Sequence, residues 1–567
     1  MALKAAGSFL ANTPDSSPEK YAKELQDEKH RLELIGKEGV DEDVNSKLSL
    51  SYGRLEAETA RVFRELSIFP SDFDAQAEEA VCLDEGHSHL SELVRWSLVE
   101  YRKSSDEGEG RYHLHDLVRL FSAARLEEEG GKAARNDARQ RHSEYFKDVL
   151  SSATELYQNG DALAGLRRFD LERMNIEVGW AWAKDNLAGN NAAASLCSAF
   201  LNFPYLLELR MHPGERISWL ETALAAARQL KDKKMEDVHL GNLGNAYAAL
   251  GETRQAIEYY DQALKIAREI GDRRSEGVDL GNLGLAYADL GETRKAIEYY
   301  DQALKIAREI GDRKSEGVDL GSLGLAYANL GETRKSIEYY DKALKIAREI
   351  GDRGNEGVWL GNLGNAYAAL GETRQAIEYY DQALKIAREI GDRRGEGARL
   401  GNLGLAYADL GETRKAIEYY DQALKIAIDI EDPWIEEENL INFGKAYAAL
   451  GEIDKAIGYY EQSLAIVRKI EDRKSESEAL CNLGKAYVAL DEVHKAIDCY
   501  EQSLVIARKI EYRRGEGDAL FNMSLALDKL GQRPEATDNA KAALVIFEQI
   551  ESPDAEKARQ KLAEWQG

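Results

Sequence analysis

Proline is scarce in this chain, with 8 in 567 residues, which leaves little room for linkers or for a turn-dense β architecture. Cysteine is scarcer. Cys82, Cys197, Cys481 and Cys499 form no C-x-x-C pair and read as reduced, buried thiols rather than a disulfide framework. No run of 18 apolar residues occurs, so no membrane-spanning helix is expected. The N-terminal stretch MALKAAGSFLANTPDSSPEK has no basic segment ahead of its short apolar run, which argues against a signal peptide. Positive charge is in deficit, with 75 Lys and Arg against 102 Asp and Glu and a net charge of −27. An acidic surface of that size works against non-specific binding to DNA, RNA or anionic membranes. These deficits predict a cytoplasmic, helical protein with neither a nucleic-acid nor a membrane partner.

Chemistry-bearing motifs are missing as well. The Gly-Lys pairs at Gly36, Gly131, Gly444 and Gly484 are followed by Glu or Ala, so no G-x-x-x-x-G-K-[ST] phosphate cradle exists in the sequence. There is no H-E-x-x-H and no G-x-S-x-G, and no cysteine neighbours a plausible base. His87, Ser88 and His89 cluster without further adjacent ligands, which is too little for a metal site. Glu436, Glu437 and Glu438 read as a solvated helix start, favourable to the helix dipole. No catalytic residue, metal site or cofactor is therefore expected, and the chain reads as a non-enzyme.

What the sequence has in abundance is repetition. From Leu240 the 40-residue block LGNLGNAYAALGETRQAIEYYDQALKIAREIGDRRSEGVD recurs at Leu280, Leu320, Leu360 and Leu400, then more loosely at Leu440, Leu480 and Leu520. Leu240, Leu243, Tyr247 and Leu250 sit at helical spacing, and so do Ala256, Ile257, Tyr260, Ala263, Leu264, Ala267 and Ile270 after Gly251. Each copy is thus a helix pair, here called A and B, with Gly251 and Gly271 where each helix must end in a left-handed turn. A degenerate unit around Glu221-Thr222-Ala223-Leu224 precedes the array. A final helix is expected from Ser552 and Pro553 to about Trp565.

The residues Leu240, Leu243-Gly244, Tyr247, Gly251, Ala256, Tyr260 and Ala263-Leu264 resemble the signature of the tetratricopeptide repeat family. The family repeat has 34 residues and ends in proline, whereas this one has 40 and carries Arg268 there, so helix B should run on to about Ile270. The resemblance implies an all-α fold: a right-handed superhelical solenoid of helix pairs whose concave groove holds a protein or peptide. Variation among the close copies falls at few offsets: Asn245, Leu285, Leu325, Asn365, Leu405; Ala249, Asp289, Asn329, Ala369, Asp409; and His239, Asp279, Asp319, Trp359, Arg399. In the family, offsets like the first two line the groove, so this variation reads as ligand tuning, or as drift at solvated sites. The helix-A asparagines Asn242, Asn282, Asn362, Asn402, Asn442 and Asn482 can donate and accept at once, which suits gripping a peptide backbone or bonding to the neighbouring repeat. With Asn245, Asn365, Trp359, Arg399, Lys445 and Lys485 they make the expected ligand-binding groove.

Ahead of the repeats, SLSYGRLEAETARVFRELSIFPSDFD, HLSELVRWSLVEY and GEGRYHLHDLVRLFSAARL resemble, in order, the winged-helix module of STAND signalling ATPases of the NB-ARC branch. That resemblance implies that His115 and Asp116 correspond to a His-Asp pair that approaches bound ADP. Without a phosphate cradle they would be vestigial here, or His115 would simply complete a turn. The implied organisation is a helical remnant over residues 1–45, a winged helix over 46–128, a helical linker over 129–199 and a repeat array with caps over 200–567. Trp180 and Trp182 in the linker read as core anchors. The implied function is the sensor and scaffold part of a STAND regulator. The alternative is a regulatory subunit of a separately encoded ATPase.

Overall fold

The computed structural model describes residues 48–49, 51–103, 110–158, 161–202, 205–550 and 552–566, so the remnant expected over 1–45 lies outside the described residues. The chain divides into two compact units, Met1–Leu290 and Gly291–Gly567.

In the first unit, helices Ala57–Glu65, Ala75–Cys82 and Ser88–Arg95 precede an antiparallel hairpin, Glu100–Arg102 with Arg111–His113, and helix Asp116–Arg125. Asp74 caps the second helix by accepting the Ala77 N–H at 2.7 Å. Phe73 joins the hairpin by pairing with Tyr112, and its ring stacks on Phe69 with centroids 4.3 Å apart. Helices Gly131–Gln158 and Ala162–Asp185 then pack as a hairpin. Their approach is close at Gly165, where a Cβ would fall 2.5 Å from the Ala153 carbonyl oxygen. Trp180 and Trp182 are buried, and Trp180 stacks on Trp219 at 4.4 Å. One hydrophobic core runs from Leu48 through Phe146, Trp180 and Trp219 to Ile266, so residues 128 and 199 mark no break in packing.

Helices Asn191–Phe200 and Pro213–Leu230 pack together ahead of the first full repeat, as the degenerate unit leads one to expect. The first repeat is the pair Lys233–Ala249 and Thr253–Ile270, and helix Arg273–Asp289 opens the second. Helix B reaches Ile270, as its apolar spacing requires.

The second unit continues the alternation from Thr293–Ile310 to Arg533–Gln549 and closes with Asp554–Gln566. The backbone N–H of Asp554 donates to Ser552 Oγ at 3.3 Å, and Trp565 Nε1 donates to Asp528 at 2.9 Å, which ties the last helix to the array. The A helices of the third to seventh repeats start under an aspartate cap, at Asp312, Asp352, Asp392, Asp432 and Asp472, whereas that of the eighth starts at Tyr512 with no side-chain cap. In all of these repeats but the sixth, a buried glutamate in the next turn then holds the preceding B helix. Glu316 takes Arg308 Nε at 2.9 Å and Glu356 takes Arg348 Nε at 2.9 Å, while Arg313 and Arg353 grip the other carboxylate oxygen.

Helix B of the earlier repeats ends in glycine at positive φ, for example +72° at Gly351, but Glu431, Glu471 and Glu511 hold the same left-handed turn at 53°, 59° and 56°. An L side chain is strained there, so Glu431→Gly, Glu471→Gly and Glu511→Gly should each stabilise the chain by about 1 kcal/mol. Urea midpoints that stay level or fall for all three would contradict this.

Candidate functional site

The A-helix asparagines do not share one environment. Asn242 and Asn282 in the first unit are half-buried, as are Asn362, Asn402 and Asn482 in the second, whereas Asn442 is buried. The Asn242 amide nitrogen is buried without a hydrogen-bond partner. Asn402 Nδ2 reaches Asn365 Oδ1 at 3.4 Å, a link between adjacent A helices.

One turn further along helix A the side chains are exposed. Tyr260 donates its hydroxyl to Asn245 Oδ1 at 2.7 Å, and Tyr380 does the same to Asn365 at 2.8 Å. A phenol proton on the amide oxygen fixes which way each amide points and leaves the NH2 group free to donate outward. The same offset carries exposed Leu285, Leu325 and Leu405, then Lys445 and Lys485. Both lysines are exposed, and neither forms an ion pair among the described residues. The A-helix face of the second unit thus passes from apolar Val318, Leu325 and Val358 to charged Glu438, Lys445, Glu478 and Lys485.

The third offset does not join this face, and the expectation for Trp359 and Arg399 is corrected here. Trp359 is only 8% exposed and lies against Gly321, where a Cβ would fall 2.1 Å from the indole. Arg399 lies against Gly361 in the same way, at 2.4 Å from its guanidinium carbon. The offset is a seam between consecutive A helices, and glycine in one repeat makes room for a large side chain in the next. Asn439 on Gly401 continues it. Sequence reasoning missed this seam, although Gly321 with Trp359 and Gly361 with Arg399 recur at one spacing.

Burial in the seam has an electrostatic cost. The Asp279 carboxyl is pushed up to about 9 by burial and then by Asp237, and burial raises Asp319 to about 7. A raised carboxyl binds its proton in the folded state at a pH where the unfolded chain has released it, so stability falls as pH rises from 7 to 9. Below pH 6.5, His142 and His239 oppose the trend, because burial drives them down to about 3 and about 4. The thermal midpoint should therefore be higher at pH 7 than at pH 9. Asp279→Asn should shrink that difference, and an unchanged difference would show that Asp279 is ionised throughout.

In the first unit, His115 is half-buried and caps helix Asp116–Arg125, with its Nδ1 3.4 Å from the Leu117 N–H. Burial holds its pKa below the usual imidazole range. Asp116 is exposed and pairs with Arg119 at 2.9 Å. His87 turns to Glu78 at 3.0 Å and His89 to Thr59 at 2.9 Å, so the two imidazoles diverge. Glu437 is not solvated as expected. It is half-buried and accepts from Ser463 Oγ at 3.1 Å, and burial raises its carboxyl. Among the described residues no cluster of three metal-ligating side chains occurs, and no helix is long and apolar enough to cross a membrane.

The sequence profile of the tetratricopeptide repeat family matches residues 217–269, 235–309, 318–389, 356–429, 435–509 and 475–549, more than half of the chain. The chain is 30% identical over 167 residues to the regulatory protein AfsR of Streptomyces coelicolor, covering 29% of this chain and 16% of that protein. It is 32% identical over 124 residues to AfsR of Streptomyces griseus, covering 22% and 12%. The chain therefore spans well under a fifth of the length of these relatives. Among solved structures it is similar to a STAND protein with a tetratricopeptide repeat sensor from Pyrococcus horikoshii, at 18% identity and a TM-score of 0.49, covering 98% of this chain and 73% of that one.

Proposed function

Because the chain belongs to the tetratricopeptide repeat family, we propose that it is the peptide-binding sensor and scaffold of a STAND-type signalling regulator. The observation that carries the reading is the pair of oriented amides. Asn365, with its oxygen held by Tyr380, offers N–H donors on an exposed face beside half-buried Asn362 and Asn402, and Asn245 is held in the same way by Tyr260. Donors fixed before binding match the carbonyls of a peptide backbone and cost little ordering entropy. In this reading residues 46–128 form a winged helix, 129–199 a helical connector and 200–567 the sensor. A nucleotide-binding domain, on the same polypeptide or a separate ATPase, is the switch it governs. His115 and Asp116 are then the remains of the contact to that switch. The partial likeness to a regulatory protein points the same way.

The test is affinity capture with mass spectrometry, using the full chain as bait because its core is continuous across residue 199. The triple variant Asn362→Ala, Asn365→Ala and Asn402→Ala, checked for helicity by circular dichroism, runs in parallel. A peptide held by the native chain should bind the variant at least about tenfold more weakly, since each lost hydrogen bond is worth about 1 kcal/mol. Equal affinity would remove the groove reading.

A further inference from the structure

The junction between the fifth and sixth repeats departs from its neighbours at several positions at once. Ile428 stands where Arg308, Arg348 and Arg388 stand, so the arginine-glutamate pair is lost there. Pro433-Trp434 replaces the basic pairs of most other A-helix starts, and Trp434 is 59% exposed. On the facing helix, Gly395 takes the place of Ser315 or Ser475, and Ala398 the place of Val318 or Val358. Gly395 lets the Asp392 carboxylate fold over it, since a Cβ there would fall 2.0 Å from Asp392 Oδ2, and beside Ala398 an open cavity of about 440 Å³ is lined by Asp392, Arg394, Gly395, Ala398, Trp434, Ile435 and Glu438.

The charges in that cavity do not cancel. Arg394 Nε lies 2.9 Å from Asp432 Oδ2, so its charge is already matched by a carboxylate. Asp392 uses one oxygen to cap Gly395 N–H at 2.8 Å, and Glu438 forms no ion pair among the described residues. An indole and two carboxylates remain. Trp434 and Glu438 are one turn apart on helix Pro433–Ala449, and Lys445 follows at i+7 from Glu438 on the same face.

Two repeats on, the chain closes the corresponding junction by itself. Tyr512 donates its hydroxyl to Glu478 at 2.8 Å, and Lys474 Nζ lies 5.4 Å from the centre of the Tyr512 ring. Aromatic ring, carboxylate and cation are all supplied from within. At the fifth junction the ring and the carboxylates are present, but the local cation is turned away onto Asp432.

We propose that this cavity is a subsite for a lysine or arginine side chain of the peptide held on the A-helix face, an assignment that rests on the groove reading above. The cation stacks on the Trp434 indole while Glu438 and Asp392 accept its N–H groups. The small Ala398 side chain, beside Ile435, gives the aliphatic stem its room, while Gly395 lets the Asp392 carboxylate lie at the cavity wall.

The test uses the full chain labelled with ¹⁵N at its 7 tryptophans. The probes are three short peptides, Ac-Ala-Arg-Ala-NH2 and its leucine and glutamate counterparts. Trp434→Phe assigns the Trp434 indole resonance. The arginine peptide should shift that resonance saturably while the other two do not, and Glu438→Gln should weaken the arginine peptide about tenfold. No saturable shift, or equal shifts with all three peptides, would overturn the subsite. The two readings fail separately. If the asparagine variants lose the captured peptide but Trp434 ignores arginine, only the subsite falls. If Trp434 selects arginine while those variants bind normally, the asparagine grip falls and a cation-binding cavity remains whose peptide is held elsewhere.

Discussion

Gly404→Ala is expected to destabilise the chain by about 2 kcal/mol, the cost of forcing a methyl group into a packed core. Helix propensity alone predicts the opposite, since alanine is favoured over glycine by about 1 kcal/mol inside a helix. The contact decides the sign. A Cβ at position 404 would fall 2.3 Å from the Tyr420 ring, and that ring is 1% exposed with no room to swing. Gly361→Ala is the control. Its Cβ would meet the guanidinium end of Arg399, a flexible side chain that can move aside, so this change should be near neutral. The measurement is urea unfolding of both variants, with loss confined mainly to the fifth repeat and its neighbours because each repeat leans chiefly on the next. A Gly404→Ala chain as stable as the native one would show that Tyr420 can give way.

That glycine was legible as part of the repeat signature because it recurs at one offset beside Leu403 and ahead of Tyr420. The helix pairs, the left-handed turn at Gly351 and the final helix after Ser552 were legible for the same kind of reason: each rests on local spacing or a local backbone need. The seam was not. Trp359 and Arg399 look like surface variation when their offset is read as one column, and only the small residue of the preceding repeat shows that they are packed. Where that residue is larger the partner shrinks, since Ile441 shares a core cluster with Ala479, and Cys481 shares one with Ala519. The continuity of the first core escaped for a related reason. Trp180 read as an anchor together with Trp182, but nothing in the sequence says that its ring stacks on Trp219.

Reversing Lys445 and Lys485 together should weaken a captured acidic peptide by about a hundredfold, taking two charge-assisted contacts at roughly 1.5 kcal/mol each. The warrant is that both ammonium groups stand exposed and unpaired on the A-helix face of a chain with net charge −27. In such a field a free lysine is an isolated attractive point for a carboxylate, and it sets which partner is admitted more than how tightly any partner is held. Asp518 competes for Lys485. Burial raises its carboxyl and the positive field of Lys485 partly offsets that rise, so Lys485 already has an acid within electrostatic reach. Asp518→Asn should therefore strengthen the same peptide, the opposite sign to Lys485→Glu. Titrations at low and high salt separate the cases, because a charge-driven contact fades as salt screens it. If Lys445→Glu with Lys485→Glu leaves affinity unchanged at low salt, the lysines are merely solvated and the charged end of the face selects nothing.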